Sequence, residues 1–257
     1  MVPHMYWSEK EDCQNLNIWT PSIRDGRKRP VMVWLHGGGF SAGSSIEQLA
    51  YDGENLSRAG DVVVVSVNHR LNVLGYLDLS PFGEKYQDSA NAGNLDLIAA
   101  LEWIRDNIEG FGGDPENVTL FGQSGGGVKV WSLLQMPEAD GLFHKGIIES
   151  GVVDPDLLGD AEDGNGREIV KAMLAELGLE EKDVDQLETL PYDQLAQAYE
   201  TAAPKVAQKG EYVGNHPHKN QSYFGDAIKH GFREETKKIP LLIGTVLGEF
   251  DFGPAIP

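Results

Sequence analysis

The run Gly122-Gln123-Ser124-Gly125-Gly126 has the spacing G-x-S-x-G, with a strand pattern before it (117–121, NVTLF) and a helix pattern after it (128–134). A chain that turns sharply from strand into helix strains its central residue, which is tolerable only where the neighbours lack bulky side chains. Gly122 and Gly126 clear that space, and Ser124 Oγ is left exposed at the C-terminal edge of a sheet. A serine held in this way can attack a carbonyl carbon. Without the flanking strand and helix, the same five residues would read as a glycine-rich turn.

A second run, His36-Gly37-Gly38-Gly39-Phe40, follows another strand pattern (31–36, VMVWLH). A tetrahedral acyl intermediate carries an oxyanion, and backbone N–H groups aimed at it stabilise the charge. Glycines let the main chain approach without Cβ obstruction. Gly38 and Gly39 are the candidate donors from this loop, and the amide of Gly125 is the third. Loss of one such donor typically costs ~10²–10³ in turnover. His36 itself reads as structural.

These two loops need a sheet to hold them. Residues 61–68 (DVVVVSVN) are too apolar for an edge strand and suit a buried parallel one. Residues 94–108 carry Leu97, Ile98, Leu101, Ile104 and Ile108 at helical spacing. Gly110, Gly112 and Gly113 stop that helix, and Asp114-Pro115 is expected to turn the chain. Further strands are expected at 145–150 and 239–245, and helices at 169–177 and 194–203. Strands separated by helical stretches mean an α/β fold, a mostly parallel sheet with helices on both faces. The expected organisation is a sheet core over 1–150, a helical insertion over 151–238, and a strand with a following loop over 239–257.

The bulk numbers narrow the function. In 257 residues the formal net charge is −19, so no basic stripe is available to neutralise phosphates, and nucleic acid is not expected as a partner. No apolar run reaches the length of a membrane span, and the first residues lack the charge and apolar pattern of a signal peptide. The single Cys13 allows no disulfide within the chain and reads as a packed thiol, the alternative being an orphaned partner in a longer parent protein. No metal cluster, phosphate loop or dinucleotide fingerprint is present, so neither metal nor cofactor is expected.

The two glycine loops and their surroundings resemble the type-B carboxylesterases, the family of the cholinesterases and the p-nitrobenzyl esterases. The matching stretches are 11–21 (EDCQNLNIWTP), 31–45 (VMVWLHGGGFSAGSS), 65–75 (VSVNHRLNVLG), 91–127 and 142–151 (LFHKGIIESG). The resemblance runs almost continuously over 11–151 and resumes weakly at 239–252. It implies the α/β-hydrolase fold and ester hydrolysis through an acyl-enzyme on Ser124. It also implies a glutamate as third triad member, which falls on Glu249 in IGTVLGE, with Asp251 as the nearest rival. Gln123 departs from the glutamate that many members have before the serine.

The fold's order is serine, acid, histidine, yet no histidine follows Glu249. A serine without a general base is a poor nucleophile. The simplest expectation is therefore a fragment that lacks both ends of the family's domain and its natural N-terminus. A second copy or a separately encoded chain are other sources of the base. His4 lies in an irregular lead-in, and His69 and His144 read as packing residues. His216, His218 and His230 could complete a triad only with an earlier acid such as Asp154 or Asp156, and they read as solvated loop histidines. The expected activity is hydrolysis of small carboxylic esters. The alternatives are an amidase or thioesterase using the same machinery, and a non-catalytic cholinesterase-like binding protein.

Overall fold

The computed structural model describes residues 10–152 and 164–249. His4, Asp154, Asp156 and Asp251 lie outside them. In chain order the elements are β1 (Asn15–Trp19), β2 (Arg29–Leu35), α1 (Glu54–Gly60), β3 (Val63–Asn68), α2 (Asn72–Tyr76), α3 (Ala92–Asn107), β4 (Gly113–Gln123), α4 (Gly125–Leu133), β5 (Lys145–Glu149), α5 (Arg167–Glu176), α6 (Tyr192–Ala207), α7 (Ala227–His230) and β6 (Leu241–Gly244). The strands form one sheet in the order β1-β3-β2-β4-β5-β6. Its β3-β2-β4-β5-β6 part is parallel, and β1 adds antiparallel to β3 at one edge. This is the α/β-hydrolase type of sheet.

The apolar strands are central because both of their faces must be covered. Val63, Val64, Val65 and Ser66 of β3 are all buried. Val31, Val33 and Leu35 of β2 join Val118 and Leu120 of β4 in one core with Leu97, Leu101 and Ile104 of α3 and Val130 and Leu133 of α4. A second core gathers Ile169, Val170 and Met173 of α5 and Leu195, Ala198 and Ala202 of α6 around Val73 of α2. It is tied down by Tyr86, whose hydroxyl lies 2.8 Å from Asp185 and 2.6 Å from Glu188, with Lys85 bridging the same two carboxylates.

Two local features differ from the sequence expectation. Asp114-Pro115 does not end the element. It lies within β4, where the register with β2 jumps from Arg29↔Gly113 to Val31↔Val118. The extra residues are absorbed as a bulge, which accommodates a proline that cannot donate to the ladder. The other is β1, whose polar alternation hid an edge strand. At the opposite edge, Leu242 and Ile243 of β6 are exposed.

Leu120 is fully buried at the centre of the sheet core. Leu120→Ala is expected to lower unfolding stability by ~2–5 kcal/mol, read from the urea midpoint at unchanged m-value.

Candidate active site

Strand register sets the site. Leu35 pairs with Gly122, Gly122 with Ile148, and Ile148 with Ile243. One residue further, Gln123, Glu149 and Gly244 stand side by side. The C-terminal ends of β2, β4, β5 and β6 are therefore level, and the loops that leave them converge on one edge.

Ser124 sits between β4 and α4 with φ 54° and ψ −126°. A non-glycine residue in this region costs roughly 1–3 kcal/mol, so the surroundings must impose it. They do so through Ser124 N–H, which donates to Glu149 O at 2.8 Å, and Ser124 O, which accepts from Val128 N–H at 3.0 Å. The close approach of α4 to β2 explains the glycines that follow. A Cβ on Gly125 would lie 2.3 Å from Gly39 N, and one on Gly126 would lie 2.0 Å from Leu35 O. No side chain fits at either place.

The loop after β2 is a tight turn in which Ser41 and Ala42 N–H both donate to Gly38 O, at 3.3 and 3.1 Å. Gly38 and Gly39 have φ of 85° and 62°. Phe40 O accepts from Asn72 N–H at 2.8 Å, and the Phe40 ring packs on Tyr76, so α2 braces the loop from outside. Among the described residues, the amides of Gly38, Gly39 and Gly125 have no backbone acceptor. The contact of Gly125 with Gly39 brings these donors beside Ser124. Such a cluster can bind the oxygen of a tetrahedral adduct on the serine.

Behind the loop lie buried basic groups, and the Nε2 atoms of His36 and His69 have no protein partner. Lys129 of α4 is fully buried, and its Nζ donates to His36 O at 2.9 Å. The His36 ring stacks on His69 at 5.4 Å, and its Nδ1 meets Gly37 O at 2.8 Å. Burial, reinforced by Lys129, pushes His36 down to about 3 and His69 well below its ordinary value, so both rings are neutral. Burial likewise pushes Lys129 down to about 7.

Glu249 is placed on the far side of the same edge. It lines an open cleft of about 490 Å³ together with Gln123, Glu149, Ser150, Gly244 and Thr245. A hydrogen bond from Ser150 and one from Val246 N–H, at 2.9 Å, hold the Glu249 carboxyl below the usual range. Ser150 itself has φ 50°, and its N–H donates to Gly244 O at 2.7 Å. Ser150 belongs to no recognisable motif in the sequence. Its only signal is its place at the end of a strand neighbouring β4.

The other described histidines have contacts of their own. His69 Nδ1 meets Arg70 O, and His144 Nδ1 accepts from Val118 N–H at the other end of the sheet. His216 and His218 are less exposed than their loop setting suggests. Both are half-buried and pack against the Tyr212 ring. His230 is exposed and lies 3.4 Å from Lys219 Nζ.

A family model described as the carboxylesterase family matches residues 2–255. Para-nitrobenzyl esterase of Bacillus subtilis (strain 168) is 40% identical over 251 residues, covering 94% of this chain and 48% of that protein. Carboxylesterase 3B of Mus musculus is 49% identical over 151 residues, covering 58% of this chain and 25% of that protein. Among solved structures, an esterase from anaerobic Clostridium hathewayi, described as able to hydrolyse aliphatic aromatic polyesters, superposes with a TM-score of 0.93. Its identity is 58%, over 98% of this chain and 50% of that one. The chain thus spans about half the length of the Bacillus and Clostridium proteins.

The backbone of Ser124 yields a prediction that needs no substrate. Ser124→Gly relieves the positive φ whereas Ser124→Ala keeps it. The glycine variant is expected to be more stable than the alanine variant by about 1 kcal/mol in denaturant unfolding.

Proposed function

We propose, from the premise that this chain belongs to the carboxylesterase family, that it carries the acyl-transfer centre of a serine esterase. The observation that supports this most directly is the strained Ser124 beside three amides without backbone acceptors. In this reading Ser124 Oγ attacks the ester carbonyl and its proton passes to a histidine base. The carbonyl oxygen becomes an oxyanion facing the amides of Gly38, Gly39 and Gly125. Collapse breaks the bond to the alcohol oxygen, which takes the proton from the histidine. Water then attacks the acyl-enzyme by the same route and releases the acid. Glu249, held ionised by Ser150 and Val246 N–H, orients the histidine.

The base comes from polypeptide outside the residues described. The neutral, buried rings of His36 and His69 and the packed rings of His216 and His218 favour this over an internal substitute. Small carboxylic esters are the proposed substrates. An aliphatic–aromatic polyester film belongs in the same panel, because the Clostridium hathewayi esterase is described as hydrolysing such polymers.

The test is p-nitrophenyl butyrate hydrolysis by this chain beside Ser124→Ala. Equal, near-background rates in folded samples are expected. Fusion to the C-terminal half of the Clostridium hathewayi esterase should then bring Ser124-dependent turnover. Turnover by the unfused chain that Ser124→Ala abolishes would place a base inside it. A folded fusion without turnover would turn the reading towards a binding protein.

A further inference from the structure

We propose that Lys129 is a positioning residue: from inside the protein it fixes the orientation of the peptide between His36 and Gly37, and through it the loop bearing the Gly38 and Gly39 amides. The role of that loop rests on the esterase reading, whereas the contact that positions it does not.

In a trans peptide the C=O and the N–H point in opposite directions. With His36 O accepting from Lys129 Nζ at 2.9 Å, the carbonyl faces the core and Gly37 N–H faces away from it. A glycine on one side of this peptide leaves it unusually free to rotate. A flip would take the His36 carbonyl off Lys129 Nζ and turn Gly37 N–H inwards in its place, displacing the loop that runs on to Gly38 and Gly39. Gly37 is close enough for this to matter, since a Cβ built on it would lie 3.6 Å from Ser124 Cβ.

Packing alone does not call for a lysine here. Lys129 is fully buried in α4, where a methionine of similar length would fill the same space. Burying an ammonium is costly unless its donors are used. The donor that is used holds the loop. Helix α4 therefore meets the end of β2 at three places: Gly126 against Leu35 O, Lys129 on His36 O, and Gly125 against Gly39 N. Only the second is a directional bond.

The groups that face Lys129 are the rings of His36 and His69, both neutral, and, from the loop after β2, the carboxylate of Glu47, which opposes the downward push of burial. An amine donates hydrogen bonds in either protonation state. The anchor therefore persists through neutrality while the charge behind the loop appears or disappears.

The test uses glycine and lysine 15N labelling of the chain, so hydrolysis is not needed. In Lys129→Met, the amide signals of Gly37, Gly38 and Gly39 are expected to shift or double, while those of Gly60, Gly112 and Gly178 stay in place. A folded Lys129→Met with unmoved Gly37–Gly39 signals, or with all glycines displaced alike, would overturn the proposal. If that variant does not fold, the unsubstituted chain decides. With the His36 carbonyl carbon 13C-labelled, a through-hydrogen-bond coupling to Lys129 15Nζ is expected, and its absence would overturn the anchor. In the fused protein described above, Lys129→Met should lower kcat by about tenfold with KM little changed, the equivalent of one lost hydrogen bond. Loss of Ser124-dependent turnover in the unsubstituted fusion would defeat the esterase reading and leave the amide result standing.

Discussion

The first turn of α4 passes so close to the end of β2 that no Cβ fits between them, and most of the site's geometry follows from this contact. Gly126 lies against Leu35 O and Gly125 against Gly39 N. A larger residue at either place would separate the serine from the loop amides by pushing helix from strand. The contact also explains the backbone of Ser124. A strand and a helix joined at this distance leave a single residue to reverse the chain, and that residue takes a positive φ. The strain is local, and the sheet that imposes it is extensive. Hydrogen bonds to Glu149 O and from Val128 N–H clamp both sides of the residue.

Electrostatics divides the site into two halves. On the loop side the donors are backbone amides, which are neutral and fixed and need no reorganisation when charge develops. The basic groups behind them, Lys129, His36 and His69, are so desolvated that their charged forms are disfavoured. On the cleft side the charge is carried by Glu249, which is exposed and stabilised as a carboxylate by Ser150 and Val246 N–H.

The elements that the sequence made legible are those whose pattern follows from a single physical demand. Val63–Asn68 could only be a buried strand, because so unbroken a β-branched run has no solvent-facing side. The glycines around Ser124 were readable because close approach leaves few alternatives. Other features depended on partners distant in sequence. Asp114-Pro115 has the local chemistry of a turn, yet pairing with β2 draws it into a bulged strand. The half-burial of His216 and His218 depends on Tyr212 and a loop that folds back towards Asn91. Lys129 was silent for a related reason. A lone lysine on a helix reads as surface, and nothing in its neighbours announces a carbonyl waiting in the core.

The row formed by Gln123, Glu149 and Gly244 shows how a parallel sheet assembles chemistry from separated segments. Each strand ends at the same level, so each following residue emerges at the same edge. Ser124, Ser150 and Thr245 are the three that emerge next. One of them is strained towards the loop amides, one reaches Glu249, and one begins the turn that carries Glu249 back. A one-residue slip of β5 against β4 would move Ser150 to the other face and remove its hydrogen bond to Glu249. Register therefore holds Glu249 in place as the glycine contact holds the amides, and the two constraints meet at the backbone of Ser124, whose N–H is bonded to Glu149 O.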